Sequence, residues 1–356
     1  MEFRNRLSTA KFSLTLALLL AAGAAFGDWS LNERKGGFNA VNIYTPETVS
    51  PIGNGRSLLI ILHGCTHPIG DFVSSGSKTG AQLEAPAEEY GMVVAVPDAA
   101  NKEGFSCWGY WTSQNRNVGD YANLLELVDD MLDDSSYNID AKQVYIAGLS
   151  SGASFANTIS CLAPEVFAGV GVSAGPTIGT SANDAIGGYG NVPPSTFKAR
   201  CEGYAGSNRS HLQTQVASIG QGDADTLVST QYNRQNAEGM AAVYGVSELS
   251  STRTITENPG HTAQEFMWED GRVSMLWFNG LPHDWSGGQG ANGGSYIDSQ
   301  SINYARYLGE FFSTYNNRVD RNKGPVLSNV AFSSTSTKIS VNGNASDAEG
   351  SVAKLF

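Results

Sequence analysis

A chain of 356 residues can bury a large core and carry one large domain with an appendage, or two domains. Charged residues make up 16%, glycine fills 41 positions and the formal net charge is -12. Nothing basic is clustered enough to neutralise phosphates, which excludes nucleic acid as a partner and favours an uncharged or solid substrate.

The N-terminus has the charge order of an export signal: Arg4, Arg6 and Lys11 precede the apolar stretch Phe12 to Leu20, and small residues follow to Gly27. A signal over residues 1–27 and a mature protein starting near Asp28 are expected, hence a secreted, extracellular protein. The apolar stretch is too short for a membrane span and none follows, so no stable membrane anchor is expected. Export makes Cys65, Cys107, Cys161 and Cys201 candidates for two disulfides, with three possible connectivities. No C-x-x-C or H-E-x-x-H motif occurs, so neither a metal nor another cofactor is expected.

Ala40 to Tyr44 alternates like a strand, and Leu58 to Leu62 is a continuous apolar run, the mark of a strand covered on both faces. It ends in His63-Gly64-Cys65-Thr66-His67. Gln82 to Tyr90 reads as a short helix and Met92 to Val96 as another buried strand. Strand, helix, strand predicts a parallel sheet with crossover helices. Cys107-Trp108-Gly109-Tyr110-Trp111 is an aromatic cluster that either lines an apolar cleft or packs a loop onto the core. Leu124, Leu125, Val128, Met131 and Leu132 recur at helical spacing, with acidic residues on the solvated face.

Val144 to Leu149 then feeds Gly148-Leu149-Ser150-Ser151-Gly152, a G-x-S-x-G pentapeptide before a run of small residues. A strand turning sharply into a helix there would present the Ser150 hydroxyl at a strained tip. Its alternative is an ordinary strand-to-helix turn, so the rest of a hydrolytic site has to be sought in the chain. Val166 to Ser173 supplies a further strand, Gly175 to Pro194 a long loop fit for a rim or lid, and Val216 to Ile219 a strand leading to Asp223 and Asp225. Either acid could orient a base, and either could form a turn. Arg253 to Ile255, Glu265 to Trp268 and Val273 to Phe278 read as the last strands. His283 follows in a Gly-rich loop, giving the order Ser, Asp, His of an α/β-hydrolase. His63 and His67 come too early for that order, and His211 and His261 are weaker candidates. Ser301 to Tyr315 closes the domain as a helix.

Five ordered blocks together resemble the secreted polyhydroxybutyrate depolymerases and their feruloyl-esterase-like relatives: His63-Gly64-Cys65-Thr66; Cys107-Trp108 with Trp111; Gly148 to Gly152; Gly222 to Val228; and Gly280 to Gly288. The resemblance runs from about Gly37 to Tyr315. It implies an α/β-hydrolase fold, a mostly parallel sheet flanked by helices, over residues 28–317, with Ser150 as nucleophile, Asp225 rather than Asp223 as the acid and His283 as the base. It implies backbone N–H donors from Cys65 and Ser151 in an oxyanion hole, and pairing of Cys65 with Cys107, which leaves Cys161 for Cys201. His67 stands where many relatives carry an amide, and Pro282 replaces a small residue.

After Asn316 the texture changes. Residues 318–356 read as a polar linker and a short β-type tail like the opening strands of an immunoglobulin-like or fibronectin-like sandwich, an incomplete module since a whole one takes about 100 residues. The expected function is hydrolysis of short-chain polyhydroxyalkanoate esters by a monomer through an acyl-enzyme, with Trp108, Trp111 and Trp285 holding the polymer. The alternatives are a feruloyl or acetylxylan esterase, which would share the catalytic residues, and a non-catalytic surface-binding protein on the same fold.

Overall fold

The computed structural model describes residues 27–319, 321, 326–334 and 339–346, so residues 1–26 of the expected export signal lie outside it. Its centre is a ten-stranded sheet. In chain order the strands are β1 (Asp28–Lys35), β2 (Phe38–Thr45), β3 (Arg56–Leu62), β4 (Met92–Pro97), β5 (Ile139–Leu149), β6 (Gly169–Ser173), β7 (Val216–Gly222), β8 (Glu248–Asn258), β9 (His261–Trp268) and β10 (Val273–Phe278). Their spatial order is β1-β2-β4-β3-β5-β6-β7-β10-β9-β8. The six from β4 to β10 in that order run parallel, and antiparallel pairings add β2 and β1 at one end and β9 and β8 at the other.

The continuous apolar runs are those that need two covered faces. Alternation along β3 sends Leu58, Ile60 and Leu62 into one core and Leu59 and Ile61 into the other. The first core is closed by α2 (Gly119–Asp133), α3 (Ser151–Leu162), α4 (Pro194–Ala205) and α5 (Gln231–Tyr244). The second lies under α1 (Glu84–Tyr90) and α6 (Tyr304–Tyr315). Asn303 caps α6, its side chain accepting from Arg306 N–H at 2.9 Å. This is an α/β-hydrolase architecture, as expected.

Strand β1 and helices α4 and α5 were not legible beforehand. Strand β1 is almost wholly exposed and shows no apolar alternation. Helix α5 buries Asn233, Gln235 and Asn236, so polar side chains occupy its inner face and blur the stripe. Cys161 is joined to Cys201, which ties α3 to α4, and Cys65 to Cys107. Residues Val326–Ser334 and Ile339–Ser346 pair as an antiparallel hairpin, the β-type tail expected. Among the described residues no helix is long and apolar enough to cross a membrane.

The loop after β3 holds two buried histidines. Because Ala99 N–H reaches His63 Nε2 at 3.2 Å, His63 Nδ1 carries the proton and donates to Gly64 O at 2.7 Å. His67 stacks on Phe72 with ring centroids 4.6 Å apart, and neither of its ring nitrogens has a hydrogen-bond partner among the described residues. Burial first, and then the nearby His63, push the His67 pKa down to about 3. Both are therefore packing residues at neutral pH.

The unfolded chain protonates His67 at its ordinary pKa near 6.5, whereas the folded chain refuses the proton until about pH 3. Its contribution to stability is thus whole above about pH 6.5 and is lost as pH falls toward 3. His67→Phe is expected to flatten the acid side of the stability profile by up to about 1.4 kcal/mol per pH unit between pH 6 and 4. Denaturant unfolding across that range checks this. An unchanged slope would show that His67 is not the group being protonated.

Candidate active site

Strand β5 ends in Leu149 and α3 starts at Ser151, so Ser150 is the entire connection. It holds φ 57 and ψ -119, a backbone region in which a side chain is strained. The flanking glycines make the turn possible. A Cβ on Gly152 would stand 2.4 Å from His63 O, and one on Gly148 2.5 Å from the Gly152 carbonyl carbon. Ser150 N–H donates to Ser173 O at 2.8 Å, fixing the turn to the neighbouring strand.

Two loops at the same ends of the parallel strands bring the partners. Asp225 lies just beyond β7 and His283 just beyond β10, both buried. His283 Nδ1 donates to Asp225 Oδ2 at 2.8 Å, so Nε2 is left as the acceptor, and His283 lines the cavity that Ser150 lines. Gln221 Nε2 also donates to Oδ2 at 2.9 Å, and Leu227 and Val228 N–H donate to Oδ1 at 2.9 and 3.0 Å. Burial opposes the charge, but the hydrogen bonds from His283, Val228 and Gln221 outweigh it and hold the carboxyl below the usual range. Asp223 serves the loop instead: its Oδ1 accepts from Gly280 N–H at 2.7 Å and anchors the start of the histidine segment. Asp284 does not pair with the imidazole, and burial and then Asp298 push its carboxyl up.

Cys65 follows β3 across the cavity and lines it with Ser150. Among the described residues neither the Cys65 nor the Ser151 backbone N–H has an acceptor. The Ser151 side chain is turned away, accepting from Trp108 N–H and lying 3.3 Å from Cys65 Sγ. The disulfide to Cys107 and a bond from Thr66 N–H to Phe105 O at 2.8 Å hold this loop against residues 105–107.

The three tryptophans part company. Trp108 is fully buried among Phe38, His63 and Phe155, and Trp285 among Phe72 and Tyr304. Neither can touch a polymer; the largest rings of those motifs fill the space beneath the loops. Trp111 alone lines a cavity beside the serine. His211 and His261 stand outside both serine cavities, His261 Nδ1 lying 2.7 Å from Ser299 O.

Two cavities meet at Ser150. One of about 200 Å³ includes Thr66, Leu227, His283 and Tyr296, and one of about 460 Å³ includes Trp111, Ser151, Pro176 and Val228. Phe105 and Ile186 border both. Phe105 is 74% exposed, Ile186 60% and Leu227 41%, so an apolar rim surrounds the serine. Sequence reasoning missed these residues and Tyr296. The one available signal was apolar residues isolated in polar, Gly-rich loops, as at Gly104-Phe105-Ser106 and Ala185-Ile186-Gly187.

The sequence profile of the "Esterase PHB depolymerase" family matches residues 43–258. A poly(3-hydroxybutyrate) depolymerase of Ralstonia pickettii is 32% identical over 331 residues, covering 89% of this chain and 67% of the relative. A probable acetylxylan esterase A of Aspergillus fumigatus is 26% identical over 243 residues, covering 64% of this chain and 61% of the relative. The chain thus spans about two thirds of the length of these relatives. Among solved structures, an acetyl xylan esterase from Aspergillus awamori superposes with a TM-score of 0.53 at 20% identity, over 72% of this chain and 94% of that one, a likeness of fold. With the family profile over more than half of its length and a relative at this identity, the chain belongs to the PHB depolymerase esterase family of α/β-hydrolases and is an esterase-type hydrolase.

Proposed function

We propose that this esterase hydrolyses short-chain polyhydroxyalkanoate polyesters outside the cell, with Ser150 as nucleophile, His283 as base and Asp225 as the acid that orients it. His283 Nε2 takes the proton from Ser150 as the hydroxyl attacks an ester carbonyl, and Asp225 holds the tautomer and stabilises the imidazolium. The N–H groups of Cys65 and Ser151 stabilise the oxyanion, and His283 returns the proton to the leaving alcohol. Water activated by the same histidine then releases the acyl group. The export signal expected over residues 1–27 suits an insoluble substrate.

The observation that carries the polyester reading is the exposed rim of Phe105, Ile186 and Leu227 around the serine. Three apolar side chains left in water beside a reactive group fit a chain of methyl-bearing ester units better than a hydroxylated sugar polymer.

The first test is product release from amorphous poly(3-hydroxybutyrate) particles beside release of acetate from acetylated xylan. The native protein is expected to liberate hydroxybutyrate oligomers and Ser150→Ala none, with an unchanged circular dichroism spectrum. Activity on xylan alone would move the function to the acetylxylan esterases, and turnover by Ser150→Ala would remove the nucleophile.

Asp225→Asn is expected to lower kcat by about 10,000-fold with geometry intact, because the neutral amide no longer fixes the tautomer. Steady-state kinetics on a soluble p-nitrophenyl ester checks this. Phe105→Ser should lower the ratio of particle to soluble-ester hydrolysis by roughly 10-fold, the cost of an apolar contact of this size. An unchanged ratio would show that the polymer does not touch the rim.

A further inference from the structure

The two cavities at Ser150 cannot play the same part in ester cleavage. The leaving alkoxide must lie within reach of His283, which protonates it, so the alcohol portion of the substrate occupies the cavity of about 200 Å³ that His283 lines. The acyl portion then extends past Ser151 and Trp111.

In the alcohol-side cavity two hydroxyls approach each other, Thr66 Oγ1 and Tyr296 OH, 3.4 Å apart. Their backbones are unusual. Nine described residues other than glycine have positive φ, and three of them, Thr66 at 56, Ser150 at 57 and Tyr296 at 67, line this one cavity. Thr66 is β-branched and Tyr296 is bulky, the kinds of residue that resist this conformation most. Such strain persists only where the surroundings impose it. Here they do. Thr66 N–H is held by Phe105 O beside the Cys65–Cys107 disulfide, Tyr296 O accepts from Trp285 N–H at 2.8 Å, and the His67 ring lies 5.8 Å from the Tyr296 ring.

Resting on the polyester reading of the site, we propose that Thr66 and Tyr296 are specificity-determining residues whose hydroxyls donate to a second carbonyl oxygen, in the alcohol portion of the substrate. Every alcohol unit of a poly(3-hydroxyalkanoate) carries a carbonyl three bonds from the leaving oxygen. A xylan alcohol carries none. The pair therefore reads the one polar group that recurs along the polymer, while the apolar rim takes the rest.

The test uses two soluble acetates and follows acetate release: ethyl 3-acetoxybutyrate, whose alcohol portion has that carbonyl, and heptan-2-yl acetate, of the same chain length without it. Both pass through the same acetyl-enzyme, so a difference in kcat/KM reports the acylation step. The native enzyme is expected to prefer the acetoxybutyrate about tenfold, and Tyr296→Phe and Thr66→Val each to cut that preference about threefold, the share of one hydrogen bond. Rates that fall equally on both acetates, a preference that survives both substitutions, or no preference in the native enzyme would overturn the proposal. Hydroxybutyrate release from particles is scored separately: a carbonyl preference lost in Tyr296→Phe but without particle hydrolysis would keep the hydroxyl pair and discard the polymer.

Discussion

The site depends on a single-residue connection. A strand buried on both faces has to become a buried helix within one peptide unit, and it does so only because Gly148 lets the strand meet the helix backbone and Gly152 lets the helix touch the chain at His63. The strain at Ser150 is sustained by the sheet on one side, through Ser173, and by a helix whose every residue is buried on the other. Little can relax without unpacking α3. The Ser150 hydroxyl is consequently positioned by the core of the protein and not by a surface loop.

Around that fixed point the partners arrive on loops, and each loop is tied down by a specific bond. Asp223 holds the start of the histidine loop, and Gln82 Nε2 donates to Gln289 O at 2.7 Å farther along it. The Cys65–Cys107 disulfide joins the loop after β3 to the aromatic block. The buried carboxylate of Asp225 is surrounded by four donors, which satisfies a charge that would otherwise be costly inside the fold. The same bonds hold Phe105 and Leu227 by their backbones, Phe105 O accepting from Thr66 N–H and Leu227 N–H donating to Asp225, while their side chains stay exposed.

Much of this was legible in the residues. Continuous apolar runs marked β3, β4 and β5 because strands covered on both faces have no choice of composition, and Ser150, Asp225 and His283 fall in chain order just beyond β5, β7 and β10. The acid was ambiguous locally, since Asp223 and Asp225 both sit beside turn residues; the resemblance selected Asp225, and in the fold it is Asp225 that meets His283. The aromatic block misled for a physical reason. A tryptophan in a Gly-rich loop is equally suited to cleft or core, and the buried volume beneath the loops claimed Trp108 and Trp285. Tyr296 gave no signal and Thr66 only its place in the His63-Gly64-Cys65-Thr66 block, since their proximity spans most of the domain in sequence and rests on backbone angles that composition does not announce.

The outer edge of the sheet bears on a different matter. Strand β8 is 11 residues long and exposed, and a strand in that position leaves backbone N–H and C=O groups open to another chain. Its register is broken between Glu248 and Thr252 and again between Thr256 and Asn258, and Glu248, Arg253 and Glu257 set charges along it. Edge-to-edge pairing of two copies would have to bridge those breaks. On the solid polymer proposed as substrate, copies of the protein would be crowded together, and an edge of this kind would work against their aggregation.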